Sequence, residues 1–322
     1  MFKREPVDVC QFGVAQTRLS QCDPGGGRDH EVENARISSH SSEYNTRNVM
    51  NTTGAFPLFD DSFSDLNRFL LELVQAYEAG TIGSWDDLEE NVKAFFSPEK
   101  MEWMDSMVPG WKTMASYSDG ITLVHVMCVF LGLFMLPEFQ SLTPEQKQLA
   151  KWIVLLHDIA KFHVRGKKDS MHAFQSGVHT ANLLPRYGFP TRQLYHERIG
   201  YWSEYTAQAF IPGDGASPKP DNQKLPGILI GVDNLFGKNT PATLIIRTVL
   251  LHISLHVDPF YPTPAPLTRN EIKRFIDPDL YPLLKVIMLS DNEGWSLFDP
   301  ETRARQRYDT LETFEEVERL IT

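Results

Sequence analysis

Residues 152–161 read Trp152-Ile153-Val154-Leu155-Leu156-His157-Asp158-Ile159-Ala160-Lys161. Five apolar residues run straight into an imidazole and a carboxylate, and apolar residues resume at once. Burying such a pair without partners costs roughly 1–3 kcal/mol or more for each lost hydrogen bond or unpaired charge. A divalent cation removes that cost, because neutral imidazole and carboxylate oxygen both ligate Zn, Mn and Fe ions. The stretch therefore reads as half of a metal site carried on a buried helix. The other half must come from elsewhere in the chain.

The surroundings of this stretch are helical. Thr143-Pro144-Glu145-Gln146 is a cap with proline in the first turn and glutamine at the capping-box position, launching the helix that ends in His157-Asp158. Residues 64–79 carry apolar side chains at 66, 69, 70, 73, 74 and 77, the rhythm of one helical face, and the pattern stops at Gly80. Ser84 is a cap for a helix over 85–96 that ends near Ser97-Pro98. Further helices are expected over 121–136, 171–184, 191–209, from Thr240-Pro241 to His256, from the capping box Thr268/Glu271, over 279–292 and over 308–321. Residues 212–227, with several Pro, Gly and Asp, read as a loop. No alternating strand pattern emerges, so the expected fold class is all-α.

Three regions are expected: a disordered segment over 1–55, an N-terminal helical extension over 56–115, and a metal-binding helical domain over 116–322. The first is polar, rich in Ser, Asn, Arg and Gly, and without periodicity. Met50 stands just before the first patterned segment and offers an alternative start.

Composition narrows the class. Hydrophobic residues make up 42% of the 322, enough for a sizeable core, yet no apolar run reaches the ~18 residues needed to cross a bilayer. The first residues lead into no hydrophobic segment, so no secretory signal is expected. Cys10, Cys22 and Cys128 lie far apart, which fits a reducing cytoplasm. A net charge of −11 argues against a nucleic-acid polymer or an anionic membrane as partner.

Candidates for the missing ligands sit in core-like patterns. His125 lies within the apolar run 121–136, and Asp291 ends the apolar stretch 283–289. Either residue alone is more often a hydrogen-bonded core residue than a ligand. Together with His157 and Asp158 they put inward ligands on three separate helices, which is how metal sites in helical bundles are built.

The motifs Asp119-Gly120-Ile121-Thr122-Leu123-Val124-His125, Leu155-Leu156-His157-Asp158-Ile159-Ala160-Lys161 and Ile287-Met288-Leu289-Ser290-Asp291 resemble those of the HD-domain superfamily of metal-dependent phosphohydrolases. The likeness covers roughly residues 116–292, and Ala160 stands where that family usually shows glycine. The resemblance implies an HD-domain-like helical bundle in which His125, His157, Asp158 and Asp291 hold a first metal. Many relatives hold a second ion with two more histidines. His172, followed by Ser176 and Gly177, resembles one of them, with His179 as competitor. His252 and His256, spaced i, i+4, both qualify as the other. The following Asp258-Pro259-Phe260-Tyr261-Pro262 resembles the oxygenase branch of the superfamily and favours His256.

The implied activity is hydrolysis of a phosphate ester, a nucleotide among the candidates, by metal-activated water with one or two ions of Mn, Fe, Zn, Mg or Co. Asp158 is expected to bridge two ions or orient the water, and Lys161, one turn after His157, to contact a phosphate. Arg165, Lys167 and Lys168 form a basic cluster that is either a solvated loop or an attractor for an anionic substrate. Two other readings compete: a di-iron oxygenase on the same fold, and a non-catalytic HD domain that binds a nucleotide or a partner protein. A homo-oligomer is compatible with all three. The tryptophans at 103, 111, 152, 202 and 295 read as core or helix-surface residues, and Asp233 as a residue near the cavity without a required role.

Overall fold

A computed structural model of the chain describes residues 56–116, 120–161, 169, 171–212, 218–253 and 267–322. The chain divides into two units, Met1–Thr52 and Thr53–Thr322, and every described residue belongs to the second. The expected disorder over 1–55 lies outside the described residues.

The described chain is almost wholly helical. It begins with α1 (Phe59–Ser62), α2 (Ser64–Glu78), α3 (Trp85–Phe95), α4 (Pro98–Met107) and α5 (Trp111–Ser116). Then come α6 (Ile121–Met135), α7 (Pro137–Gln140), α8 (Pro144–Leu156), α9 (His172–Leu183) and α10 (Tyr195–Ala207). After a two-residue antiparallel pair, β1 (Phe210–Ile211) with β2 (Lys219–Pro220), follow α11 (Leu225–Phe236), α12 (Pro241–Leu251) and α13 (Arg269–Phe275). Last are α14 (Leu280–Trp295) and α15 (Pro300–Ile321). No described helix is long and apolar enough to cross a membrane.

Capping chemistry sets many of these boundaries. Ser84 accepts from the amide of Asp87 at the start of α3. Thr143 with Gln146 and Thr268 with Glu271 both close reciprocal capping boxes. Other boundaries differ from expectation. Ser97-Pro98 starts α4 as well as ending α3, since Ser97 accepts from the amide of Lys100 and Pro98 occupies the first turn. Asp299 likewise starts α15 at Pro300, eight residues before the apolar rhythm is legible. The loop expected over 212–227 ends early: α11 starts at Leu225 and buries Ile228, Leu229, Val232, Leu235 and Phe236. The expected continuation of α12 to His256 lies outside the described residues beyond 253.

The core is organised around α6, twelve of whose fifteen residues are buried. A helix apolar all round must be wrapped on every side, and α2, α3, α5, α8 and α14 do this. The N-terminal helices therefore share the core of the helices that follow: Trp152 on α8 donates its indole N–H to the carbonyl of Pro57, and buried Lys151 pairs with Asp60 at 2.6 Å.

Two glycines set the tightest crossings. A Cβ on Gly294 of α14 would lie 2.8 Å from Cγ2 of Val129 and 3.1 Å from its backbone nitrogen, so only glycine lets α14 seat against α6. A Cβ on Gly177 of α9 would lie 2.4 Å from Cδ2 of Leu250 on α12. Each close approach lies one or two turns from a residue of the cluster described next.

Candidate metal centre

Five helices converge on a buried cluster, three through residues within them and two through their C-terminal ends. His125 comes from the second turn of α6, and His157-Asp158 from the end of α8 and the turn after it. His172 opens α9, His252 caps α12, and Asp291 stands one turn before the end of α14. Ligand atoms of His125, His157 and Asp158 lie within 4.8 Å of one another, as do those of Asp158, His172 and His252. Asp158 belongs to both groups. This buried His/Asp cluster is able to hold a metal ion.

The individual distances fit that purpose. His125 Nε2 is 3.7 Å from Asp158 Oδ2 and 3.0 Å from Asp291 Oδ1. His157 Nε2 is 3.6 Å from Asp158 Oδ2 and 3.8 Å from Asp291 Oδ1. His172 Nε2 lies 3.4 Å from the other carboxylate oxygen, Asp158 Oδ1. Donor atoms sharing one ion at ~2.1 Å stand about 3.0–4.2 Å apart in the usual coordination geometries. Nε2 of His125, His157 and His252 and Oδ1 of Asp158 are buried without a hydrogen bond. Buried polar atoms are rarely left so, and several sharing one small volume fit a cation between them.

The histidine rings are set for ligation through Nε2. Nδ1 of His157 donates to the carbonyl of Val154 (2.8 Å), Nδ1 of His172 to that of Asp169 (2.6 Å), and Nδ1 of His252 to that of Val249 (2.6 Å). A carbonyl can only accept, so the proton sits on Nδ1 and the Nε2 lone pair faces the cluster.

Protonation states agree with this. Burial lowers the pKa of His125 and of His172, and pushes that of His252 down to about 3 with help from neighbouring His172 and His157. Burial alone would raise both carboxyls, but His157, Lys161, His172 and His125 outweigh it at Asp158. His125, His157 and His252 outweigh it at Asp291. Neutral imidazoles and ionised carboxylates are the forms that bind metal. Lys161 donates from Nζ to Asp158 Oδ2 at 2.7 Å, and that carboxylate keeps the ammonium charged against the effect of burial.

Exposure marks where solvent reaches the cluster. His125, His157 and Asp158 are buried, whereas the side chains of Asp291 and Lys161 are 18% and 17% exposed and Trp295 is 50% exposed. Among the described residues the opening lies on the Lys161–Asp291–Trp295 side.

Of the residues expected from sequence, His125, His157, Asp158, His172, Asp291 and Lys161 come together. His256 lies outside the described residues, as do Arg165, Lys167 and Lys168, and it is His252 whose ring joins the cluster. His179 does not: seven residues advance a helix by about 10.5 Å, and its ring instead packs against Gly110 in the turn before α5. Asp233 pairs with Arg247 at 2.6 Å between α11 and α12 and belongs to neither ligand group. Trp295, read from sequence as a core or surface residue, lies face to face with His125, with ring centroids 4.0 Å apart and planes 17° apart. Its spacing of four from Asp291 places both on one helical face, a signal that acquires meaning only with α6 packed against that face.

Ser176 and Gly177 hold the second group in place. The Ser176 hydroxyl accepts from the amide of Ala160 at 3.1 Å, tying the turn after Asp158 to α9. Gly177 lets α9 approach α12, so that the rings of His172 and His252 stand 5.3 Å apart. Gly177→Val is therefore expected to spread these helices and weaken an ion at Asp158/His172/His252 by about 10–100-fold. Binding at His125/His157/Asp158 should change far less. Metal titration of the variant, followed by calorimetry, checks both halves of this expectation.

Comparison of the chain with protein-family models, with curated proteins and with solved structures gives no match.

Proposed function

We propose that this protein is a metal-dependent hydrolase of phosphate esters, with a nucleotide as the finer reading of its substrate. The observation that carries it is the shared carboxylate: Asp158 offers Oδ2 to His125 and His157 and Oδ1 to His172, with the Lys161 ammonium beside it on the open side. On this reading His125, His157, Asp158 and Asp291 hold one ion, and Asp158, His172 and His252 a second. Ions held there would supply a water activated near neutral pH and a Lewis acid for a phosphoryl oxygen.

The chain's own groups contribute the rest. Asp158 and Asp291 would orient water by accepting hydrogen bonds from its O–H groups. Lys161, paired with Asp158 at 2.7 Å, would be placed to meet a phosphoryl oxygen as a point charge once a cation engages that carboxylate. The half-exposed indole of Trp295 at the opening offers a flat apolar surface for a planar ring, which supports the nucleotide reading.

The test is phosphate release from p-nitrophenyl phosphate and from nucleotides by protein stripped with chelator and reloaded with Mn, Co, Zn, Mg or Fe, with and without dioxygen. Metal-dependent release indifferent to dioxygen is expected. Lys161→Ala should lower kcat/KM by about 10–100-fold, the worth of one charge-assisted hydrogen bond. Four imidazoles and two carboxylates also suit two irons, so iron-dependent dioxygen uptake without phosphate release would replace this reading with an oxygenase. Stoichiometric metal without turnover of any such substrate would replace it with a binding module.

A further inference from the structure

Three of the four imidazoles in the cluster are anchored in one way, and the fourth is not. His157 and His252 cap the C-terminal ends of α8 and α12, where the last carbonyls of a helix have no amide partner and are free to accept from Nδ1. His172 opens α9 and reaches the carbonyl of Asp169, ahead of the helix. His125 lies inside α6, where the carbonyl three residues earlier already serves the helix ladder. Its Nδ1 makes no hydrogen bond among the described residues, and its Nε2 faces Asp291 Oδ1 at 3.0 Å.

What touches the His125 ring is Trp295. The indole covers one face at 4.0 Å, nearly parallel. The last turn of α14 delivers it: Asp291 and Trp295 are four residues apart, and Gly294, between them, gives the close approach to Val129, one turn beyond His125 on α6. Trp295 also runs parallel to Trp85 of α3, with centroids 6.2 Å apart and planes 7° apart. Lys161 Nζ lies 5.5 Å from the Trp295 ring centroid. The indole thus contacts His125, Trp85 and Lys161 while half of it stays open to solvent.

We propose that Trp295 is the positioning residue for the ligand His125, its indole fixing the imidazole plane in place of the missing hydrogen bond. Without a flat neighbour, rotation about the last side-chain torsion is broad, and Nε2 leaves the direction it must hold. This inference rests on the reading that the cluster binds cations, and it needs no assumption about substrate.

The full chain, stripped with chelator, is titrated with Mn(II) or Zn(II) by calorimetry, with circular dichroism confirming the fold. Trp295→Ala should weaken binding to the His125/His157/Asp158/Asp291 group by about 10–100-fold, the cost of losing an outer partner of a ligating histidine. Trp295→Leu, which keeps bulk without a flat face, should behave as alanine does, and Trp295→Phe should restore near wild-type affinity. The decisive comparison is in a His125→Ala background, where Trp295→Ala should add no further loss. An equal loss in both backgrounds would make Trp295 a general structural residue, and wild-type affinity in Trp295→Ala would make the stack incidental. Either result overturns the inference while leaving the metal centre standing. A wild-type chain that binds no ion would overturn both.

Discussion

Asp158→Asn is expected to leave a folded protein that retains no bound metal and has no detectable turnover. The side chain keeps its shape but loses the charge that both ligand groups share. Its amide nitrogen also turns two donors toward positions where a cation needs lone pairs. Removing only an outer partner of a ligand costs about 10–100-fold in metal affinity, so removing a shared ligand should cost more than about 100-fold at each group. His157→Ala should act similarly on the group that includes His125, whereas His172→Ala should spare that group and lose only an ion held with His252. Elemental analysis of each purified variant, beside phosphate release, gives the answer. Full metal and full activity in Asp158→Asn would end the metallohydrolase proposal.

Stripping the wild-type protein with chelator should bring the second large effect, a loss of stability, and the stripped protein should weaken further as the pH falls. An ion that binds the folded state alone, at 1,000 times its dissociation constant, contributes about 4 kcal/mol by mass action. For a chain of this size that is roughly 10 °C in the unfolding midpoint. The stripped protein then carries His125, His172 and His252 neutral in the core, each with its pKa lowered by burial. In the unfolded chain these imidazoles take protons near pH 6.5, while in the folded chain they do so at lower pH, His252 only at about 3. Unfolding therefore binds protons, and stability falls as pH drops below about 6.5, by up to ~1.4 kcal/mol per pH unit for each such group. The carboxyls of Asp158 and Asp291 are held low in the folded state, so their contribution persists above pH ~4 and is lost only in stronger acid. Thermal unfolding between pH 7.5 and 5.0, with and without chelator, tests this. A chelated protein as stable as the loaded one, with a flat profile over that range, would contradict it.

Much of the cluster was legible before any coordinates. His157-Asp158 stands out because a polar pair interrupts an apolar run, and His125 and Asp291 for the same reason. Each is buried or nearly so for the packing reason its flanks imply. His172 over His179 was legible only as an alternative, because both share a helical face and the choice depends on where along α9 the other helices cross it. His252 and His256 pose the same problem, and for them the end of α12 puts His252 against His157 and His172. Trp295 was not legible, since its spacing from Asp291 becomes meaningful only once α6 is known to lie beneath it. In the fold, capping boxes and apolar rhythm marked most helices. Helices α1, α4, α5, α7 and α11 were missed: α1, α5 and α7 are short, and the proline at the start of α4 and of α11 also reads as the end of what precedes it. Helix α15 starts earlier than expected, at Asp299-Pro300.

By itself the chain determined its helical character, the apolar helix at its centre and the residues that cannot be buried without a cation. Those properties are local: a helix follows from a period and a cap, and a buried charge announces itself against its immediate neighbours. Which imidazoles meet, which carboxylate is shared and which indole backs His125 were decided only in three dimensions. Such choices depend on how closely helices distant in sequence approach, and glycines at 177 and 294 set that distance at the crossings beside the cluster.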